Sequence, residues 1–262
     1  MASKDEIARR EQWILDHLIR RGELTVEEIC SELGISVATA RRDLEGLENR
    51  GRLRRTHGGA ISLEPLLYEP FRHVSSYREQ VEKFAEEKRR IALAAAELID
   101  EGDTIALTPG TTTTQIMRGL PTQKKVTVVT NTVNVAMELS NRPGVSVFVT
   151  GGFLHGGWFS LVGQAAIDAL NRIFVDKVFI GANGLDARHG ATAYHPEEAA
   201  VNRAMVAQAR EKIMVVDHSK LGVIATHQFC PIEAVNRLIT DTGATNEMVE
   251  EFIKRKIDVR RV

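Results

Sequence analysis

Apolar residues recur at Ile7, Trp13, Ile14, Leu15, Leu18 and Ile19, the spacing of one helical face, and the run stops at Arg21-Gly22. A second helix is predicted from Leu24-Thr25. Thr25 caps it, Glu28 three residues on completes a capping box, and Val26, Ile29, Cys30 and Leu33 form its inner face. Gly34 permits a tight turn into Ser36, an N-cap for a third helix with an apolar stripe of Val37, Ala40, Leu44 and Leu47. The opposite face carries Ala38, Thr39, Arg42, Glu45 and Asn49, with Arg41 on the flank. The stretch from Gly51 to Ala60, Gly-Arg-Leu-Arg-Arg-Thr-His-Gly-Gly-Ala, then fits a two-stranded basic wing. Three helices with a tight turn before the last, followed by a hairpin, predict a winged helix-turn-helix over residues 1–60.

The pattern then changes. Between Ile61 and Tyr77 periodicity fails, and Pro65, Pro70 and Ser75-Ser76 interrupt it, so residues 61–78 read as a linker. A long helix is expected over Glu79–Ile99, with Val81, Phe84, Ile91, Ala95 and Leu98 inward. From there β-rich runs (104–108, 126–130, 145–150, 177–181, 213–217, 237–240) alternate with helical ones (113–120, 133–141, 164–172, 196–210, 247–256). Such alternation predicts a mostly parallel sheet with helices on both faces, occupying residues 79–262. The fold class is α/β, with a small DNA-binding module ahead of it.

Composition narrows the function. The chain has 262 residues and a formal net charge of −1, which argues against a general nucleic-acid coating protein and requires any DNA affinity to come from a local patch. Residues 1–60 balance eleven Lys/Arg with eleven Asp/Glu, yet Ser36–Ala60 holds six arginines against three acids. A solvated helix and hairpin without a partner is the bland alternative; the one-sided charge favours a DNA-reading surface. No run approaches the roughly 20 apolar residues of a membrane span, and the N-terminus lacks a signal-peptide core, so a cytoplasmic protein is expected. Two isolated cysteines, Cys30 and Cys230, read as packing residues; no metal or cofactor is expected.

The short residues Ala38 and Thr39 let the third helix sink into a major groove, where Arg42 can reach a guanine edge with two hydrogen bonds. Arg41 suits a phosphate, and the helix N-terminus capped by Ser36 offers backbone N–H groups to another. Arg54, Arg55 and His57 of the wing are placed to follow the DNA backbone or enter the minor groove. One such module buries too little DNA for operator affinity, so a homodimer or homotetramer on double-stranded operator DNA is expected.

In open parallel sheets, ligands bind beyond the carboxyl ends of the strands. There this chain collects Thr108-Pro109-Gly110-Thr111-Thr112-Thr113, Thr130-Asn131, Thr150-Gly151-Gly152, Gly181-Ala182-Asn183 and Asp217-His218-Ser219-Lys220. Glycine allows close backbone approach, threonines offer hydroxyls, a helix N-terminus favours an anion, and Lys220 adds positive charge. Together they predict a pocket for a small polyhydroxylated anion. His155, Trp158 and Phe159 fit either a lid or plain packing, His195 a helix cap, and Asp241 a strand-end turn.

Ser36, Thr39 to Leu44 and Arg55 to Ala60 resemble the winged helix of the DeoR family of bacterial transcription regulators, departing from it at the inward Ala40. The rest resembles that family's sugar-phosphate-sensing domain, which shares its fold with ribose-5-phosphate isomerase. Gly110 to Thr113 match the phosphate loop, Thr130-Asn131 a strand end, Glu198 an acidic position and Ser219-Lys220 a second phosphate anchor. Thr108 and Pro109 replace the family's usual Asp and small residue. The resemblance implies effector contacts from Thr108, Gly110, Thr111, Thr112, Thr113, Asn131, Gly152, Asn183, Glu198 and Lys220. It implies a regulator, most simply a repressor, of carbohydrate-utilisation genes, controlled by a phosphorylated sugar. The alternative is a sugar-phosphate isomerase or deaminase with a DNA-binding appendage. Against it, the isomerase Asp-Gly-Ala-Asp run is matched by Ile180, Gly181, Ala182 and Asn183; neither Ile nor Asn exchanges a proton near neutral pH, and Asp186 and Glu198 remain.

Overall fold

A computed structural model describes residues 4–21, 23–50, 52–62, 80–121, 124–155 and 158–262. The chain divides into two compact units, residues 1–71 and 72–262. The expected helix stop at Gly22, the wing start at Gly51, the helix start at Glu79 and the linker from residue 63 onward lie outside the described residues.

In the first unit, α1 (Lys4–Arg21), α2 (Val26–Leu33) and α3 (Val37–Asn49) surround a small core of Ile14, Leu18, Ile29, Ala40, Leu44 and Leu47. The Thr25 capping box forms as expected, with the Thr25 Oγ1 accepting from Glu28 N and the Glu28 carboxylate accepting from Thr25 N at 2.8 Å. Thr25 has a second role, as the last residue of strand β1 (Glu23–Thr25). β1 pairs with β3 (Gly59–Ser62), which also pairs with β2 (Leu53–Arg55), so the wing is a three-stranded sheet with β3 in the middle. Ile61 and Ser62 therefore belong to the wing and not to the linker. Gly59 must be glycine, because a Cβ there would lie 2.1 Å from the Leu24 carbonyl oxygen. One member of the expected apolar stripe departs: Val37, in the first turn of α3, is 48% exposed.

The second unit is built on a seven-stranded sheet, all of its pairings parallel, in the order β15-β14-β12-β9-β4-β5-β6. These strands are Asp258–Arg261, Arg237–Thr240, Ala209–Val215, Val175–Ile180, Thr104–Leu107, Val126–Thr130 and Val145–Val149. Alternate side chains serve two cores. Ala106, Val178, Ile180, Met214 and Leu238 meet one set of helices; Ile105, Leu107, Phe179, Ile213, Val215 and Ile239 meet the other. α4 (Ala85–Ala96), α5 (Thr111–Gly119) and α6 (Val133–Leu139) contribute to the second core; α7 (Gln164–Leu170), α8 (Pro196–Ala207) and α9 (Asn246–Lys254) contribute to the first. Smaller antiparallel pieces sit beside the sheet: the hairpin β7 (Phe153–His155) with β8 (Ser160–Val162), and β10 (Gly184–Asp186), β11 (Gly190–Ala193) and β13 (His227–Cys230).

Three expectations shift. The long helix over 79–99 is broken at Phe84, which adopts a left-handed φ of 54° and places its ring edge-on to His218, with centroids 4.6 Å apart. The helix expected to reach Arg210 ends at Ala207, because Ala209 already pairs with Val175 in the sheet. Strand β15 escaped the reading because it is an edge strand of Asp-Val-Arg-Arg, with polar groups on its exposed side and no apolar alternation to betray it. Cys230 is buried in the first core, and burial pushes its thiol up to about 11, as befits a packing residue.

A buried ion pair locks α3 to α1. Arg10 Nε donates to Asp43 Oδ2 at 2.7 Å and its Nη2 to Oδ1 at 3.1 Å, with both side chains at most 10% exposed. Breaking one partner leaves the other charge buried, which costs about 3–5 kcal/mol. Asp43→Asn is therefore expected to lower the unfolding midpoint of the winged helix while leaving the second unit unchanged. Trp13 fluorescence in a Trp158→Phe background measures the first, and far-UV circular dichroism of the later transition the second. An unchanged Trp13 transition would show that the pair is not structural.

Candidate nucleic-acid interface and ligand cleft

Gly34, with φ 63° and ψ 32°, ends α2, and after Ile35 the Ser36 side chain accepts from Thr39 N to open α3. The Ser36 hydroxyl also pairs with Thr39 Oγ1 at 2.9 Å, so its side chain is engaged within the protein at the first turn of α3. Beyond that turn Ala38, Arg41, Arg42, Glu45 and Asn49 are exposed, and Thr39 is half-buried. Arg54, Arg55 and His57 are exposed on the wing. Arg55 is not equivalent to its neighbour. Its backbone N–H and its Nε both donate to the Glu48 carboxylate, at 2.9 and 2.6 Å, which holds Glu48 below the usual carboxylate range. The pair fixes the wing to the end of α3. Arg41, Arg42 and Arg54 have no ion-pair partner among the described residues. No local pattern marks this division, because it depends on which acids fold back onto which arginines.

In the second unit a cleft opens at the carboxyl ends of β4, β9 and β12. Of the ten residues expected to meet an effector, six line it: Gly110, Thr111, Thr112, Asn183, Glu198 and Lys220. Gly110 precedes α5 with no side-chain hydrogen bond capping the helix, so the first-turn N–H groups face the cleft unsatisfied by a cap. Lys220 ends a single 3-10 turn, His218–Lys220. That turn is held by the buried Asp241, whose carboxylate accepts from His218 N, His218 Nδ1 and Gly243 N at 2.7–2.8 Å. Burial alone would raise Asp241, but these hydrogen bonds hold it below the usual carboxylate range. Asp241 is thus more than a turn residue: it positions the loop that carries Lys220.

The other four do not line the cleft. Thr108 is fully buried; its hydroxyl accepts from Gly181 N at 2.9 Å and ties the end of β4 to the end of β9. Thr113 is also buried, and its hydroxyl donates to the Thr108 carbonyl at 2.7 Å, so threonine hydroxyls in this loop mostly shape the backbone. Asn131 Nδ2 donates to the Leu161 carbonyl at 3.0 Å, joining β5 to β8. Gly152 lets the chain pass close to the Val162 carbonyl, where a Cβ would lie 2.5 Å away. Trp158 lines the cleft, whereas Phe159 is buried packing. His195 does not cap α8 with its side chain; its ring lies 4.9 Å from that of His155.

Several lining residues escaped the sequence reading. Lys88, on α4, is 2% exposed, and its ammonium donates to the Gln80 carbonyl. Burial pushes it down to about 8, with nearby Lys220 adding to the effect and Asp217 opposing it. A signal existed: Phe84, Lys88, Ile91 and Ala95 follow a four-three-four spacing, so a lysine stands in the apolar stripe. Asn202, one turn beyond Glu198 on α8, is 3% exposed, and its Oδ1 has no hydrogen-bond partner. A buried acceptor left in that state is costly. Asp186, by contrast, is used in a turn, accepting from Arg188 N and His189 N at 2.8 and 2.9 Å, and is not part of the cleft lining. The described residues hold no cluster of His, Cys, Asp or Glu able to bind a metal, and no helix long and apolar enough to cross a membrane.

Glu198 is 8% exposed, and burial raises it from 4.5 to about 7. A carboxyl with a raised folded-state pKa binds more protons folded than unfolded, so it lowers stability progressively as pH rises from about 4.5 to about 7 and fully above that. Glu198→Gln is expected to leave the unfolding temperature nearly unchanged at pH 4 and to raise it at pH 8, by at most about 3 kcal/mol of stability. Thermal unfolding of both proteins across this range tests it; a difference independent of pH would rule out the raised carboxyl.

The chain matches the DeoR-like helix-turn-helix domain over residues 10–65 and the DeoR C terminal sensor domain over residues 83–242. It is similar to the HTH-type transcriptional repressor GlcR of Bacillus subtilis, 37% identical across 87% of this chain and 86% of that one. It is similar also to the HTH-type transcriptional regulator GlpR of Haloferax volcanii, 35% identical across 94% of each chain. The putative aga operon transcriptional repressor of Escherichia coli O157:H7 is 32% identical across 96% of this chain and 92% of that one. Ribose 5-phosphate isomerase A of Methanocaldococcus jannaschii overlays 52% of this chain and 54% of its own with a TM-score of 0.40 at 18% identity. With an exposed recognition helix, a basic wing and a sensor-type sheet all matched along the chain, this protein belongs to the DeoR family of transcriptional regulators.

Proposed function

We propose that this regulator is a repressor of carbohydrate-utilisation genes whose operator affinity is set by a phosphorylated sugar in the cleft. One observation supports the ligand class above the rest: an uncapped helix N-terminus and two ammonium groups, Lys88 and Lys220, share a cleft with Glu198, Asn183 and the unpartnered Asn202 Oδ1. The first set suits an anion, the second a polyol. Relatives named as repressors, one of them of the aga operon, agree with the sign and the metabolic setting. Against the enzyme reading, the positions that match the isomerase acids, Ile180 and Asn183, supply no exchanging proton, and of the two acids that line the cleft, Glu198 and Asp217, Asp217 already accepts from the Ser219 backbone and hydroxyl. Release of product from glucose 6-phosphate or glucosamine 6-phosphate would favour it instead.

On the DNA side, Arg42→Ala should lose discrimination at one base pair, by roughly 1–3 kcal/mol, whereas Arg54→Ala should weaken binding to all sequences and reduce the salt slope by about one. Arg55→Ala acts differently, loosening the wing through Glu48. Binding titrations on operator and random DNA at several salt concentrations separate the three. Equal loss on both DNAs for Arg42→Ala would make it a phosphate contact.

On the ligand side, Lys220→Ala should weaken a phosphorylated sugar at least about tenfold and leave operator binding of the ligand-free protein intact. Because coupling is reciprocal, the sugar must also bind free and DNA-bound protein with affinities differing by the factor it imposes on DNA. Operator titrations with and without a panel of sugar phosphates test this. If no phosphorylated sugar shifts the curve, or the unphosphorylated sugar serves equally well, the reading is wrong.

A further inference from the structure

Glu198 stands third in α8, after Pro196 and Glu197, and a glutamate at that position has an ordinary use. In α2 the residue so placed, Glu28, folds back and accepts from the N–H of the cap residue Thr25. Glu198 makes no such bond. It lines the cleft at 8% exposure, and among the described residues no backbone or side-chain group donates to its carboxyl. No cation acts on it either, since burial is the one influence on its charge. α8 packs on β11 and β13, which bring Ala193 and Phe229 into the same lining, so its surroundings offer apolar surface in place of a counter-charge.

The lysines of the cleft do not repair this. The charges that reach Lys88 are those of Asp217, Lys220, Lys83 and Glu87, and Glu198 is not among them. The cleft therefore has two separate poles. One, at Lys88, Lys220 and the N-terminus of α5, suits an anion; the other is the lone carboxyl of Glu198. Burying an unpaired carboxylate costs far more than burying a neutral polar group. A sugar hydroxyl can donate a hydrogen bond to it but leaves its charge uncompensated. An ammonium does both, and it turns an isolated buried charge into a hydrogen-bonded ion pair.

We propose that the effector is a phosphorylated amino sugar, whose phosphate meets Lys88, Lys220 and the N-terminus of α5 while its ammonium donates to the Glu198 carboxylate. This rests on the sugar-phosphate reading above and narrows it to a ligand that carries one charge of each sign. Glu198 is then the residue that selects amine over hydroxyl. A sugar phosphate without the amine satisfies one pole and leaves the other as it was.

The test is calorimetric titration of the full chain with two matched pairs of probes, glucosamine 6-phosphate against glucose 6-phosphate and galactosamine 6-phosphate against galactose 6-phosphate. Within a pair the probes differ only in the amine. At least one amino sugar should bind wild type about tenfold or more tighter than its counterpart, a difference of about 1.4 kcal/mol. Glu198→Gln keeps the side-chain shape and removes the charge, so it should cost that amino sugar about tenfold more than it costs the hydroxyl counterpart and close the gap. Lys220→Ala should weaken both members of the pair alike and preserve their ratio. Equal affinity within both pairs, a preference for the hydroxyl sugars, or an equal loss for both members in Glu198→Gln overturns the proposal and leaves the sugar-phosphate site standing. If none of the four probes binds wild type, the proposal falls too, and the operator titration with the wider panel of sugar phosphates decides separately whether the broader reading falls with it.

Discussion

A parallel strand cannot return to its neighbour's starting edge without a crossover, so a sheet of parallel strands sends every carboxyl end to one side and every returning helix to a face. The cleft depends on that constraint. Loops after β4, β9 and β12 are distant in sequence, yet the central order β12-β9-β4 makes them adjacent. Much of the polar chemistry at this edge is then spent on holding loops in place. Thr108 ties β4 to β9, Thr130 Oγ1 donates to the Leu107 carbonyl at 3.1 Å, and Asp241 steadies the turn that presents Lys220. These groups find their partners within the protein, as buried polar groups generally do.

Three of the buried polar residues that line the cleft stand within helices. Lys88 on α4, and Glu198 and Asn202 on α8, occupy positions that packing alone would give to apolar residues. Each is a departure from a consistent pattern, and burial shifts Lys88 and Glu198 toward their neutral forms, to about 8 and about 7. Departures of this kind concentrate where function competes with stability. On the proposed function, a ligand that supplies an anion and hydroxyl groups would relieve these costs on binding.

The winged helix handles charge in the opposite way. Its acids neutralise selected arginines from within: Asp43 takes Arg10 in the core, and Glu48 takes Arg55 at the base of the wing. Arg41, Arg42 and Arg54 are exposed on α3 and β2 with no ion-pair partner among the described residues, so residues 1–60, balanced overall, carry free positive charge there. On the proposed reading face, the short side chains at the start of α3 would set how closely the backbone approaches the bases.

Sequence by itself determined the class, most of the helices and six of the seven strands of the large sheet, though not β15 or the small antiparallel strands. Helical and two-residue periodicities are local, and the capping box at Thr25, the turn at Gly34 and the strand–helix alternation after residue 104 each follow from neighbours within a few positions. It also located the cleft, since loops at strand ends share an edge whatever the strand order, and it found Gly110, Thr111, Thr112, Asn183, Glu198 and Lys220. Tertiary structure alone decided which polar groups line the cleft and which brace the loops. Thr112 and Thr113 are adjacent and alike in sequence, but one lines the cleft and the other bonds the Thr108 carbonyl. Lys88 was hidden by distance, sixteen residues before its strand and on a helix whose role looked wholly structural. The reason is general: a side chain's partners are set by through-space packing among elements far apart in the chain, and local pattern carries the face on which a residue lies but not what stands opposite it.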